Sequence, residues 1–143
     1  MKNVMEAKFK ATPENESFAR NLVASFILPL NPSIEELSDI KTAVSEAVTN
    51  VVVHAYPNKI GDVTIKITTE ENKIAISISD KGVGIQDIER ALTPFYTSKP
   101  DEERSGMGFT VMEGFMDRLE VCNNKEGLTV NMFKSLEPQV VGI

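Results

Sequence analysis

Cysteine is all but missing from this chain. Cys122 is the only one in 143 residues, so no intramolecular disulfide is possible and a reducing compartment fits. Long hydrophobic runs are missing too. The longest centres on the three consecutive valines 51–53, far short of the roughly 20 apolar residues that a membrane-spanning helix needs. The opening Met-Lys-Asn-Val is not followed by an apolar core and a small-residue cleavage site, so no secretory signal is expected and the expected location is cytoplasmic. Positive charge is in deficit, with 15 Lys and Arg against 21 Asp and Glu, and the net charge of -6 weighs against direct binding to nucleic acid. Internal repeats and low-complexity tracts are absent. What remains is ordinary for a soluble globular protein, with 41% hydrophobic and 25% charged residues. One domain is expected over residues 1–136, with a tail at 137–143 expected to fray.

Periodicity places the elements. Met5, Ala7, Phe9 and Ala11 alternate with Glu6, Lys8 and Lys10, which predicts a half-buried strand. Thr12-Pro13-Glu14 predicts a helix start, with a capping hydroxyl, proline in the first turn and an acid near the positive end. That helix should turn Phe18, Leu22, Val23 and Phe26 inward and end near Pro29. Ser33-Ile34-Glu35-Glu36 has the form of a capping box. It opens a longer helix whose stripe is Leu37, Ile40, Val44, Ala47, Val48 and Val51, and which Pro57 should stop. Val63, Ile65 and Ile67, then Ile74, Ile76 and Ile78, alternate with polar residues on either side of Glu70-Glu71-Asn72-Lys73, which predicts a β-hairpin. Little regular pattern follows from 83 to 105, apart from a short helical stretch near 87–92. A helix over 108–116 and a second hairpin, 119–122 with 128–133, complete the chain. Strands in hairpins with helices gathered between them imply an α+β fold: a two-layer α/β sandwich, its sheet mixed but mostly antiparallel, with the helices on one face.

Three short polar boxes interrupt the apolar stretches. The first is Glu46-Ala-Val-Thr-Asn50. Residues four apart on a helix are offset by only about 40°, so Glu46, Asn50 and His54 form one drifting row on a helix that is apolar nearly all round. Such a row needs partners or a ligand. Asn50 offers a neutral oxygen suited to Mg²⁺, and Glu46 could accept a proton from a hydroxyl or water nucleophile. Taken alone, this spacing is most often a surface row, and His54 reads as a helix-terminal or packing residue. The second box is Asp80-Lys-Gly82-Val-Gly84. Asp80 shares strand parity with Ile74, Ile76 and Ile78, which puts a carboxylate at the mouth of the interlayer space. There it could accept from an exocyclic amine, with Gly82 and Gly84 letting the backbone approach a flat ring. Its plain alternative is an ordinary Asp-Lys-Gly turn. The third box, Ser105-Gly106-Met107-Gly108, opens an apolar helix, where freed amides suit a phosphate. The stretch before it, 94–104, reads as a lid whose Lys99 and Arg104 could meet phosphates, against the plain alternative of a solvated loop.

In this order the boxes resemble the ATP-binding domain of the GHKL superfamily, the Bergerat fold shared by gyrase B, Hsp90, histidine kinases and MutL. Glu46-x-x-x-Asn50 is similar to its N box, Asp80-x-Gly82-x-Gly84 to its G1 box and Gly106-x-Gly108 to its G2 box. The resemblance covers nearly the whole chain, so neither a transducer domain nor a histidine-bearing dimerisation helix pair is expected. Glu46-Ala-Val-Thr-Asn50-Val-Val-Val-His54-Ala-Tyr56, Pro94-Phe-Tyr-Thr-Ser-Lys99-Pro and Glu103-Arg104-Ser-Gly-Met-Gly-Phe109 resemble most the sporulation anti-sigma F family of endospore-forming bacteria. That resemblance implies a homodimer that withholds a sigma factor from RNA polymerase and phosphorylates a serine of an anti-anti-sigma partner of the STAS type. It implies ATP or ADP with Mg²⁺, Glu46 as catalytic base, Asn50 on the metal and Asp80 at adenine. Gly82 and Gly84 would flank the nucleotide. Thr97, Ser98, Lys99, Arg104, Ser105, Gly106, Met107, Gly108 and Phe109 would line its phosphate side. Thr129 would assist Asp80, although Leu128 stands where a small polar residue is more usual.

Two other readings compete. One is a nucleotide-gated binding module without kinase activity, and the other an ATP-hydrolysing dimer clamp. The complete Glu46 and Asn50 pair favours chemistry over mere binding, and the expectation of no transducer domain weighs against the clamp. Glu16 and Arg20, one turn apart on the first helix, are a candidate partner contact, though an i,i+4 ion pair in solvent also accounts for them.

Overall fold

Alternation in five segments builds one sheet, and the apolar stripes of three helices cover one side of it. A computed structural model describes residues 1–85, 88, 92 and 108–138. In chain order these form β1 (Lys2–Lys10), α1 (Pro13–Ile27), α2 (Ile34–Asn50), β2 (Asp62–Glu70), β3 (Lys73–Asp80), α3 (Gly108–Phe115), β4 (Arg118–Asn123) and β5 (Leu128–Ser135). A 3₁₀ turn, Leu28–Leu30, follows α1, and a π-helical turn, Val51–Ala55, follows α2. The sheet order is β1-β2-β3-β5-β4. Every described pairing is antiparallel, in keeping with the mostly antiparallel sheet expected.

Register decides which residues meet the helices. Phe9 pairs with Val63, Val63 with Asp80, and Ile78 with Val130, so these side chains share one face. That face buries Val63, Ile65, Ile67, Ile74, Ile76, Ile78, Val130 and Met132 against Val23, Ile27, Ile40, Val44, Val48 and Met112. Each such side chain contributes about 1.5–3 kcal/mol when fully buried. Lys134 ties the helices to the far end of β5, donating to the Phe115 carbonyl at 2.7 Å and pairing with Asp39 at 3.8 Å.

Local signals held unevenly. The capping box is complete: Glu36 N donates to Ser33 Oγ at 3.0 Å and Ser33 N to Glu36 Oε1 at 2.9 Å. The other Glu36 oxygen accepts the Glu137 amide at 2.8 Å, so the tail expected to fray from 137 begins with an anchored residue. Burial raises the Glu36 carboxyl, but the Ser33 and Glu137 amides outweigh it and hold the group below its ordinary value. Thr12 does occupy the N-cap of α1 with Pro13 behind it, yet its hydroxyl makes no capping bond. The inward stripe of α1 is Ala19, Val23 and Ile27. Phe18, expected inside, is 47% exposed and lies edge-on to Phe9, because the stripe is rotated by one residue. Of the stretch near 87–92 only Ile88 and Leu92 are described, joined by a Leu92 N–H donating to the Ile88 carbonyl at 3.0 Å. No helix among the described residues is long and apolar enough to cross a membrane.

Candidate functional site

Asp80 is the last residue of β3 and, by parity, faces the helix layer, where it is only 4% exposed. A carboxylate so placed needs donors. Its Oδ1 accepts the Gly82 amide at 2.9 Å and the Leu128 amide at 3.3 Å. Both bonds converge on one oxygen, Oδ1. Burial pushes the carboxyl above the ordinary carboxylate value, and the two amides oppose that rise. The β4–β5 turn closes directly over this group: a Cβ on Gly127 would lie 2.3 Å from the Asp80 carbonyl oxygen.

The glycine turn after Asp80 is fastened to the end of the α2 helix. Val83 N donates to the Ala55 carbonyl at 2.9 Å, and a Cβ on Gly82 would lie 2.1 Å from that same oxygen. Lys81 N donates to Tyr56 Oη at 2.7 Å, while the Tyr56 hydroxyl donates to the Asp62 carbonyl at 2.6 Å. Ala55 ends the π turn, where a helix's last carbonyls have no partner within it, so its oxygen is available to Val83. The π turn also ends the expected row: Glu46 and Asn50 lie on α2, whereas His54 lies in the π turn. Burial raises the Tyr56 phenol, so it stays a neutral strut at physiological pH.

Asn50 and Gly108 are brought together. A Cβ on Gly108 would sit 3.1 Å from both Asn50 side-chain heteroatoms, so the start of α3 abuts the last residue of α2. Glu46 is half-buried one turn earlier. Ser45, beside it, joins the first helix: its hydroxyl donates to Glu16, and Arg20 donates to Ser45 Oγ at 3.4 Å. Glu16 and Arg20 pair at 3.2 Å, and Arg20 also reaches Ser17 at 3.0 Å. These two residues therefore belong to an interhelical cluster rather than to a purely solvated face.

Thr129 is a correction. It pairs with Ser79, one residue before Asp80, so strand alternation sends its side chain to the open face of the sheet. There it bonds to Ser79 Oγ at 3.1 Å and accepts from Asn124 Nδ2 at 2.9 Å. Leu128 occupies the place beside Asp80 and serves it through its backbone amide. Phe109 is half-buried at the start of α3, packed against the core. Thr97, Ser98, Lys99, Arg104, Ser105, Gly106 and Met107 lie outside the described residues. No metal-holding group of three or more His, Cys, Asp or Glu side chains exists among the described residues. Tyr56, Ser45 and Asn123 were missed by sequence reasoning. Their bonds span 6 to 38 positions, and only the Asn-Asn-x-x-Gly turn carried a local hint.

This geometry suits a nucleotide. Asp80 offers an acceptor in a dry wall, and Asn50 offers an amide oxygen at a glycine-opened helix start. The family model described as a histidine kinase-like ATPase domain matches residues 9–134. The chain is similar to the anti-sigma F factor of Caldanaerobacter subterraneus subsp. tengcongensis, 55% identical over 133 residues that cover 92% of this chain and 93% of that one. It is 56% identical to the anti-sigma F factor of Clostridium acetobutylicum over 125 residues, 87% of each chain. With that of Bacillus licheniformis it shares 50% over 138 residues, 95% of this chain and 94% of the other. Among solved structures it is similar to the RsbU and RsbW domains of a Mycobacterium tuberculosis protein, with a TM-score of 0.70 at 16% identity. That match spans 95% of this chain and 33% of the solved one. The catalytic domain of histidine kinase ThkA matches with a TM-score of 0.60 at 16% identity, over 94% of this chain and 99% of that one. At such identities the two structures speak for the fold alone.

Proposed function

The chain belongs to the anti-sigma F factor family and carries that family's histidine kinase-like ATPase domain, and from this premise we propose that it is a protein-serine kinase as well as a sigma-factor inhibitor. Its acceptor would be a serine of an anti-anti-sigma protein of the STAS type, and its phosphoryl donor ATP. The observation that carries the reading is the meeting of Asn50 with Gly108, with Glu46 one helical turn behind.

In this reading Asp80 Oδ2 accepts from the exocyclic amine of adenine, inside a wall closed by Gly127 and Leu128. The amides at the start of α3 face the phosphates, and Lys99, Arg104 and residues 105–107 complete that side. Asn50 would hold Mg²⁺, which when bound neutralises phosphate charge. Glu46 takes the proton of the serine hydroxyl as its oxygen bonds to the γ-phosphorus and the bond to ADP breaks. Helix α1 presents Glu16 and Arg20 to the protein partners, and two copies form the working unit.

The test is an incubation with γ-labelled ATP, Mg²⁺ and candidate STAS proteins. Label should move to a partner serine, and Glu46→Ala should abolish transfer while ADP binding persists. Label released only as inorganic phosphate would favour the clamp. Unaltered sigma regulation by Glu46→Ala would favour the nucleotide-gated module. Arg20→Glu should weaken capture of the partners and spare ADP affinity, and unchanged capture would remove α1 from the partner surface.

A further inference from the structure

Asn123 takes no part in the steps above, yet it holds the far side of the glycine turn. It is the last residue of β4, and its side chain reaches the backbone that leaves the turn. Oδ1 accepts the Ile85 amide at 2.9 Å, and Nδ2 donates to the Ile85 carbonyl at 2.6 Å. A carboxamide presents a donor and an acceptor side by side, as a peptide group does, so this pair imitates one rung of a β-ladder. The rung lands one residue after Gly84, which adopts a left-handed φ of 70°. That φ favours glycine, and a Cβ there would lie 2.6 Å from Asn123 Oδ1 and force the carboxamide to shift.

Beside the bond from Lys81 to Tyr56, three attachments hold the turn around Asp80. The Ala55 carbonyl takes Val83, Asp80 itself takes Leu128, and Asn123 takes Ile85. The first ties the turn to the π turn that follows α2, and the other two tie it to the β4–β5 hairpin. Glu126 of the same hairpin also pairs with Lys81 at 3.5 Å, but both of those side chains are exposed, whereas the Asn123 attachment holds the backbone of the turn. Nothing in it involves Glu46 or Asn50, which are set by α2.

We propose that Asn123 is a positioning residue that fixes the base-holding wall of the nucleotide site by clamping Ile85 and Gly84. The inference rests on the nucleotide-binding reading above. It predicts a specific division of effects. Asn123→Ala should weaken ADP and ATP binding alike, by about tenfold for the loss of two hydrogen bonds, and should raise KM for ATP while leaving kcat nearly unchanged. Asn123→Asp keeps the size and one acceptor but sets an oxygen against the Ile85 carbonyl, so it should weaken ADP binding at least as much. Asn131→Ala, on the open face of β5, is the control and should leave ADP affinity unchanged.

Calorimetric titration with ADP, beside circular dichroism and amide exchange at Ile85, tests this. Faster Ile85 exchange with weaker ADP binding in both Asn123 variants supports it. ADP affinity within about twofold of wild type in the folded Asn123→Asp variant overturns it. A fall in kcat as large as the rise in KM overturns it too, since the residue would then act on the chemistry. In both cases the nucleotide-binding reading stands. A wild-type chain without ADP affinity overturns that reading and this inference together.

Discussion

The two faces of the sheet share one backbone and carry opposite chemistries. Toward the helices, β3 presents Ile74, Ile76, Ile78 and Asp80, all buried, whereas toward solvent it presents Ala75, Ser77 and Ser79. A polar residue on the open face has water for a partner, so Ser79 and Thr129 bond to each other at little gain. A polar residue on the covered face has no such recourse, and Asp80 is kept there only by amides drawn in from two turns. The same atom types thus stabilise on one side and equip a site on the other. A shift of one residue in register separates the two outcomes.

Substitutions that respect this division should differ in size and kind. Ile76→Ala, on the covered face, should cost about 2–5 kcal/mol in chemical denaturation, and Ser77→Ala next to it no more than about 0.5 kcal/mol. Gly127→Ala should follow at about 1–3 kcal/mol, because its Cβ would press on the Asp80 backbone, and calorimetry should show ADP binding lost with it.

Asp80→Asn should act in the reverse sense on stability. Burial holds the Asp80 carboxyl above its ordinary value, so the folded chain binds that proton more readily than the unfolded chain does. Stability tied to this group is therefore full below the ordinary carboxylate range and falls as pH rises through the raised value. The nucleotide-free variant should equal or exceed wild type in melting temperature at neutral pH. The gap should close as pH falls through that window, and ADP affinity should be lost throughout. Thr129→Ala should also have a small effect, at most about 1 kcal/mol, with ADP affinity intact. Loss of affinity in that variant would return Thr129 to the base site and undo the separation of faces.

Much of this was legible because the signals are local. Parity alone took Asp80 to the covered face, alternation gave both hairpins, and Ser33 with Glu36 marked the start of α2. Thr129 is placed otherwise because its role came from the family resemblance and not from its own strand parity, which the pairing with Ser79 reveals. Phe18 failed for a different reason: helical spacing admits two neighbouring stripes, and packing against β1 and α2 selected Ala19, Val23 and Ile27. The clasp formed by Tyr56, Lys81 and Asp62 had no signal at all. A phenol joining three segments is decided by tertiary approach, not by spacing.

The π turn has a consequence for how this sequence can vary. The three valines before His54 act as a spacer between α2 and the contacts that Ala55 and Tyr56 make with the turn after β3. Exchanging one for isoleucine would keep the count. Deleting one would rotate everything beyond it by about 100°, carrying the Ala55 carbonyl away from Val83 and Tyr56 away from Lys81. The spacer is thus open to drift in composition and closed to insertion or deletion.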